Sequence, residues 1–264
     1  MAILELTTAT GKNLKVNVRR ESTVMMQDGD TSFTFDYEGR LIGAFLDGRN
    51  YRRSLANDIL EKQSGPRPGL SGRLRRLLAR EEVHRLEDRA YAFVRDAVRA
   101  VVASNAGEGE SLAARNAALE ACERIESYNY ERLETEREIY ARVYHPVTIL
   151  PPDQYLALYL QVTEGCAYNH CRFCGFYRDR RFYMKTLDEF RRHILDVRDL
   201  FGGGLSLRRS IFLGDANALM VPQANLVPMF DAINAEFEIL PRGLDPDARA
   251  AWEHDHPIHF KGIY

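Results

Sequence analysis

Residues 155–177 read YLALYLQVTEGCAYNHCRFCGFY, and the organisation of the chain follows from them. The run 155–162 is apolar without polar alternation, which predicts a strand buried on both faces, as in a parallel sheet. Directly behind it come Cys166, Cys171 and Cys174, with four and then two residues between them. Thiolates are soft ligands that favour iron–sulfur clusters and zinc. Three of them in one short stretch, in a chain that opens without a secretory signal, point to metal chemistry rather than to a disulfide framework. The fourth cysteine, Cys122, stands alone in a helical pattern and is expected to be a small buried apolar residue.

Downstream, Phe190, Ile194 and Val197 share one face of a helix predicted over 187–200. Residues 210–213 (SIFL) form a second short strand that ends at Gly214-Asp215, and 225–237 reads as a further helix. Strand, loop, helix, strand, loop, helix is the order of a parallel α/β fold. Chemistry in such folds sits at the C-terminal ends of the strands. The Cys loop and Gly214-Asp215 both fall there. Gly202-Gly203-Gly204 is expected to be the loop after a helix, since no P-loop pattern accompanies it.

Upstream, Pro151-Pro152 punctuates a boundary near Pro146, so two domains are expected, 1–145 and 146–264. The first is predicted to be an α+β region. Leu14, Val16 and Val18 alternate with polar residues; Phe33, Phe35 and Tyr37 and then Leu41, Gly43 and Phe45 do so on either side of Glu38-Gly39, as in a β-hairpin. A linker of breakers covers 64–72. Two long helical patterns, 74–102 and 112–143, follow and are separated at 105–109, which reads as a helical hairpin.

The sequence of 264 residues carries a net charge of −2, which gives no general reason to expect nucleic acid or an anionic membrane. Arg73, Arg75, Arg76 and Arg80 make a basic helix start without interleaved aromatics, so nucleic-acid binding is not expected. No apolar run approaches a membrane span, and a cytoplasmic location is the expectation.

Three Cys ligands leave one iron of a four-iron cluster open to bind a substrate, whereas a pure electron carrier usually has four. The stretch from Gln161 to Tyr177 resembles the cluster loop of radical SAM enzymes, in the subgroup that writes it G-C-x-x-N-x-C-x-F-C. Gly165, Asn169 and Phe173 match that pattern, and the resemblance covers residues 145–237. It implies a [4Fe-4S] cluster on Cys166, Cys171 and Cys174 and reductive cleavage of S-adenosylmethionine to a 5′-deoxyadenosyl radical for hydrogen abstraction. It places Phe173 near the adenine, and Gly214-Asp215 where the family has a Gly-Gly-Glu-like motif receiving the amino group of S-adenosylmethionine. The implied partners are an external one-electron reductant of flavodoxin or ferredoxin type and a substrate the sequence does not name.

The implied fold is the start of a (βα) barrel. Residues 238–264 contain Pro241, Pro246 and Pro257 and no clear strand run, so the barrel is expected to be truncated after two βα units. The alternative is a non-catalytic zinc-binding or interaction module. Its Cys3His site would take His170, His193 or one of His254, His256 and His259 as fourth ligand. Arg172, Arg178, Arg180, Arg181 and Lys185 near the Cys loop suit an anionic substrate, the S-adenosylmethionine carboxylate, or solvated surface.

Overall fold

The computed structural model describes residues 1–64, 73–104, 110–147 and 150–264. They form two compact units, Met1–Glu138 and Ile139–Tyr264, each of mixed α and β structure.

The first unit contains an antiparallel meander. Strands β1 (Ala2–Thr7), β2 (Asn13–Val18), β3 (Ser22–Gln27), β4 (Thr31–Asp36), β5 (Leu41–Leu46), β6 (Arg49–Arg53), β7 (Ile59–Ser64) and β8 (Arg73–Leu77) pair with their sequence neighbours into one eight-stranded sheet. The expected hairpin is its centre, β4 against β5, with Phe33 opposite Ala44. The sheet extends well beyond that hairpin. Asp47-Gly48 joins β5 to β6 as a two-residue turn with φ of 51° and 71°. Positive φ at both positions matches the twist of the flanking strands.

Residues 73–77, expected to open a helix, are strand β8 instead. Pairing with β7 sets Arg76 opposite Glu61, whose carboxylate it meets at 2.9 Å. The helix begins only at Arg80, where the Glu82 carboxylate accepts the Ala79 N–H at 2.9 Å. This helix, α1 (Arg80–Ala103), buries Val83, Leu86, Ala90, Val94 and Val101 in one core with Leu4, Val16, Met25, Phe33 and Ala44. The predicted helix 112–143 is two helices, α2 (Glu110–Glu126) and α3 (Tyr130–Val143). Asn129 divides them, accepting the Arg132 N–H on its side chain at 2.9 Å in the manner of an N-cap. The breaker segments at 65–72 and 105–109 lie outside the described residues.

In the second unit, β9 (Ala157–Gln161) and β12 (Ser210–Gly214) pair in parallel, from Ala157 opposite Ser210 to Gln161 opposite Gly214. All five residues of β9 are buried, Gln161 included, while Tyr155 and Leu156, expected within the strand, precede it and are exposed. Helix α4 (Leu187–Phe201) lies between the two strands in sequence and α5 (Gln223–Glu236) follows β12. A capping box starts α4: Thr186 Oγ1 accepts the Glu189 N–H, and Glu189 accepts the Thr186 N–H at 2.8 Å. The glycines 202–204 open a short 3-10 helix (Gly202–Leu207) rather than a plain loop.

As expected, 238–264 holds no strand, but two isolated bridges tie it into the unit. Helix α6 (Pro246–Asp255) is followed by residues 261–264, which run parallel to β12. Their bonds include Ile211 N–H to Gly262 O at 2.9 Å and Tyr264 N–H to Ile211 O at 2.8 Å. Four residues are too few to show periodicity, and main-chain bonding to β12 defines them. Among the described residues no helix is long and apolar enough to cross a membrane.

Two expected outcomes follow from this packing. Gly39, in the β4–β5 turn, has φ of 105°, and a Cβ there would stand 2.6 Å from the Arg124 carbonyl oxygen. Gly39→Ala should cost about 2 kcal/mol or more in denaturant unfolding, through strain and overpacking together. His193, buried on α4, accepts the Gln161 N–H at 3.0 Å, and burial, reinforced by Lys185, pushes its pKa down to about 3 from 6.5. The unfolded chain therefore takes up a proton that the folded chain refuses between those values. The stability His193 contributes is complete above pH 6.5 and falls as pH drops through that window, by about 1.4 kcal/mol per unit. Urea midpoints at pH 7 and pH 5 should converge more closely in His193→Gln than in the parent chain.

Candidate metal centre

The Cys loop leaves the sheet through a short ladder. Past β9, the Val162 N–H bonds to Gly214 O at 2.8 Å. Strand β10 (Thr163–Glu164) then pairs antiparallel with β11 (Tyr183–Met184), so residues 165–182 form a loop closed at its base. Gly165 turns the chain into that loop with φ of 71°, and a Cβ on it would stand 2.9 Å from Arg181 O. Only glycine meets both conditions without strain.

Inside the loop, Asn169 adopts φ of 44°, a left-handed conformation that Asn tolerates better than most residues. Its N–H donates to Cys166 Sγ at 3.4 Å and its side-chain amide donates to Tyr177 O at 2.9 Å. Arg178 donates to Cys171 O at 3.2 Å. Cys166, Cys171 and Cys174 are free and half-buried.

The end of β12 is tied to the start of this loop by Asp215, whose side chain is shut off from solvent. Its Oδ1 accepts the Tyr159 hydroxyl at 3.0 Å, and its Oδ2 accepts the Gly165 N–H at 3.1 Å and faces Arg180 Nη1 at 3.5 Å. The Asp215 N–H donates to Thr163 Oγ1 at 2.9 Å. Burial first, then the Asp215 charge, holds the Tyr159 phenol far above its ordinary pKa, so it stays a donor. A Cβ on Gly214 would collide with the Tyr159 ring. Beside these, Glu164 bridges Lys185 at 2.5 Å and His145 at 3.1 Å.

The expected site residues are therefore gathered unevenly. Gly214 and Asp215 are joined to the Cys loop, and Phe173 stands on the loop 94% exposed. Of the expected cationic cluster, Arg180 and Lys185 are engaged by Asp179, Asp215 and Glu164, while Arg172, Arg178 and Arg181 are exposed. His170 packs edge-on against Tyr168. His193 uses its Nε2 on the Gln161 N–H, and His256 and His259 pack against Trp252. Cys122 is fully buried in α2, where burial pushes its thiol up to about 12.

Tyr159 and Glu164 were not expected as site residues. A phenol within a largely aliphatic buried strand was the one available signal, since a buried hydroxyl usually seeks a partner.

The donor set fits an iron–sulfur cluster by its chemistry: three free thiols on one loop, one of them already receiving a main-chain N–H. Such N–H to sulfur bonds are among the means by which proteins tune cluster potentials. Among the described residues no three His, Cys, Asp or Glu side chains converge as ligands of a single metal ion. Comparison of the chain with protein-family models, with curated proteins and with solved structures returned no match in any of the three.

Proposed function

We propose that the second unit is the S-adenosylmethionine-activating part of a radical SAM enzyme, and that its parallel strands are the opening of a (βα) barrel. The observation that carries the reading is the position of the three free thiols. They lie on one loop at the C-terminal end of β9, and the end of the adjacent parallel strand β12 holds that loop through Asp215. The chemistry supplied by a four-iron cluster on three thiolates, one iron left open, is one-electron cleavage of S-adenosylmethionine to methionine and a 5′-deoxyadenosyl radical that takes hydrogen from a substrate.

Cys166, Cys171 and Cys174 are the ligands in this reading. Gly165 and Asn169 shape the loop that presents them, and the Asn169 N–H stabilises the Cys166 thiolate. Phe173, with its ring open to solvent, offers an apolar face to the adenine. Gly214 and Asp215 act by fixing where the strand end meets the loop. The exposed Arg172, Arg178 and Arg181 give an external reductant of flavodoxin or ferredoxin type a cationic surface to meet.

Anaerobic reconstitution of the chain with iron and sulfide should load about four irons, and the reduced protein should form 5′-deoxyadenosine from S-adenosylmethionine. Cys171→Ala should abolish both. One tightly held zinc and no visible absorbance would sink the reading. Asp215→Asn keeps the size of the side chain and removes its charge. It should lower the rate of 5′-deoxyadenosine formation at least ~10-fold by loosening the loop. It should also speed thiol labelling of the three loop cysteines in the metal-free chain, and unchanged labelling would remove Asp215 from the positioning role.

A further inference from the structure

The two faces of the N-terminal sheet treat cations differently. On the inner face each basic side chain of β6 and β8 meets a carboxylate: Arg49 and Arg76 reach Glu61 at 3.2 and 2.9 Å, and Arg53 faces Glu87 at 3.8 Å. On the outer face Arg52, Lys62 and Arg75 make no ion pair among the described residues. Lys62 stands directly opposite Arg75, and Arg52 is opposite Leu60, one step along the same strands. Like charges directly opposed in a sheet destabilise it. The chain as a whole is slightly acidic, at −2, so this excess is local.

The row that holds Lys62 and Arg75 continues across the sheet. Lys62 is opposite Asn50, Asn50 opposite Phe45, and Phe45 opposite Ser32. Arg75 and Asn50 are exposed, and Lys62 and Phe45 are half-exposed. Beside Phe45 on the same face lies Gly43, opposite Arg52, where the sheet carries no side chain. Glycine within a strand marks a place where another group can approach the backbone closely.

We propose that this outer face of β5–β8 binds single-stranded nucleic acid. Neighbouring strands lie about 4.8 Å apart, so the three cations span roughly 10 Å across β6, β7 and β8, a scale suited to successive phosphates. The Phe45 ring is a platform for a base, and stacking of this kind tolerates any base. The Asn50 amide next to it can donate to and accept from a base edge. An acidic protein segment would need the cations alone and has no use for a ring, an amide and bare backbone side by side. The expectation against nucleic acid placed Arg75 and Arg76 together on a helix start. As strand residues they point to opposite faces, and Arg75 shares a row with Phe45. The inference does not depend on the function proposed for the second unit.

The test is fluorescence anisotropy of the whole chain with an end-labelled single-stranded RNA of about 12 nucleotides, at salt from roughly 50 to 200 mM. The double variant K62S/R75S should bind at least tenfold more weakly. Its slope of log affinity against log salt should be shallower by about 1.4, the value for two phosphate contacts on a single strand. Phe45→Leu keeps apolar bulk and removes the ring. It should weaken binding several-fold and leave the slope unchanged. Circular dichroism of each variant should match the parent. No binding at low salt overturns the proposal, as does parent-like binding by the charge variant. Loss with K62S/R75S but none with Phe45→Leu, together with competition by a polyglutamate peptide, also overturns it and assigns the face to acidic protein.

Discussion

A carboxylate with no access to water must be answered by donors, and the second unit is arranged around one. Asp215 is enclosed, and its two oxygens take the Tyr159 hydroxyl, the Gly165 N–H and the approach of Arg180. Removing a partner from a buried charge typically costs about 3–5 kcal/mol, more than most single packing contacts are worth. The three donors come from the middle of β9, from the first residue of the Cys loop and from its far limb. One carboxylate at the end of β12 thus sets the place of all three. The neutral state of Tyr159 belongs to the same constraint, because a phenolate beside Asp215 would turn a donor into a second buried anion.

The same contact explains why Gly214 and Gly165 are glycines. Tyr159 reaches Asp215 only by lying over Gly214, in the volume a side chain would fill. Gly165 presents its N–H to Asp215 from a left-handed turn, close under the Arg181 carbonyl. The loop beyond it is fastened internally by Asn169, through Cys166 Sγ on one side and Tyr177 O on the other. Its cysteines are thereby presented by a backbone that its own hydrogen bonds hold in shape.

How much of this can be read in the sequence depends on the range of each interaction. The mostly apolar run before the cysteines shows a strand buried on both faces, and β9 is one from Ala157 to Gln161, leaving Tyr155 and Leu156 outside it. The capping pair Thr186 and Glu189 lies three residues apart and marks the start of α4 locally. Asp215 meets Gly165 across 50 residues and Tyr159 across 56, and no periodicity signals such a partner. Residues 73–77 carry arginines and leucines that suit a helix start or a strand equally. The register with β7 decides between them, and that register depends on Glu61. Asp47-Gly48 was the readable signal that the meander continues past its central hairpin.

Glu61 also accounts for the uneven charge of the first unit. It is buried and accepts both Arg49 and Arg76, so it holds β6, β7 and β8 in one register from the inner face. Side chains alternate along a strand, and a slip of one residue would turn every inner group outward. Once Glu61 faces Arg76, Lys62 must face Arg75. The repulsion of that outer pair costs about 0.2–1 kcal/mol in contact with solvent. Leaving the buried Glu61 without its partners would cost several-fold more. The inner ion pairs therefore impose the outer cationic row, and the core of the sheet holds in place the charge that its surface presents.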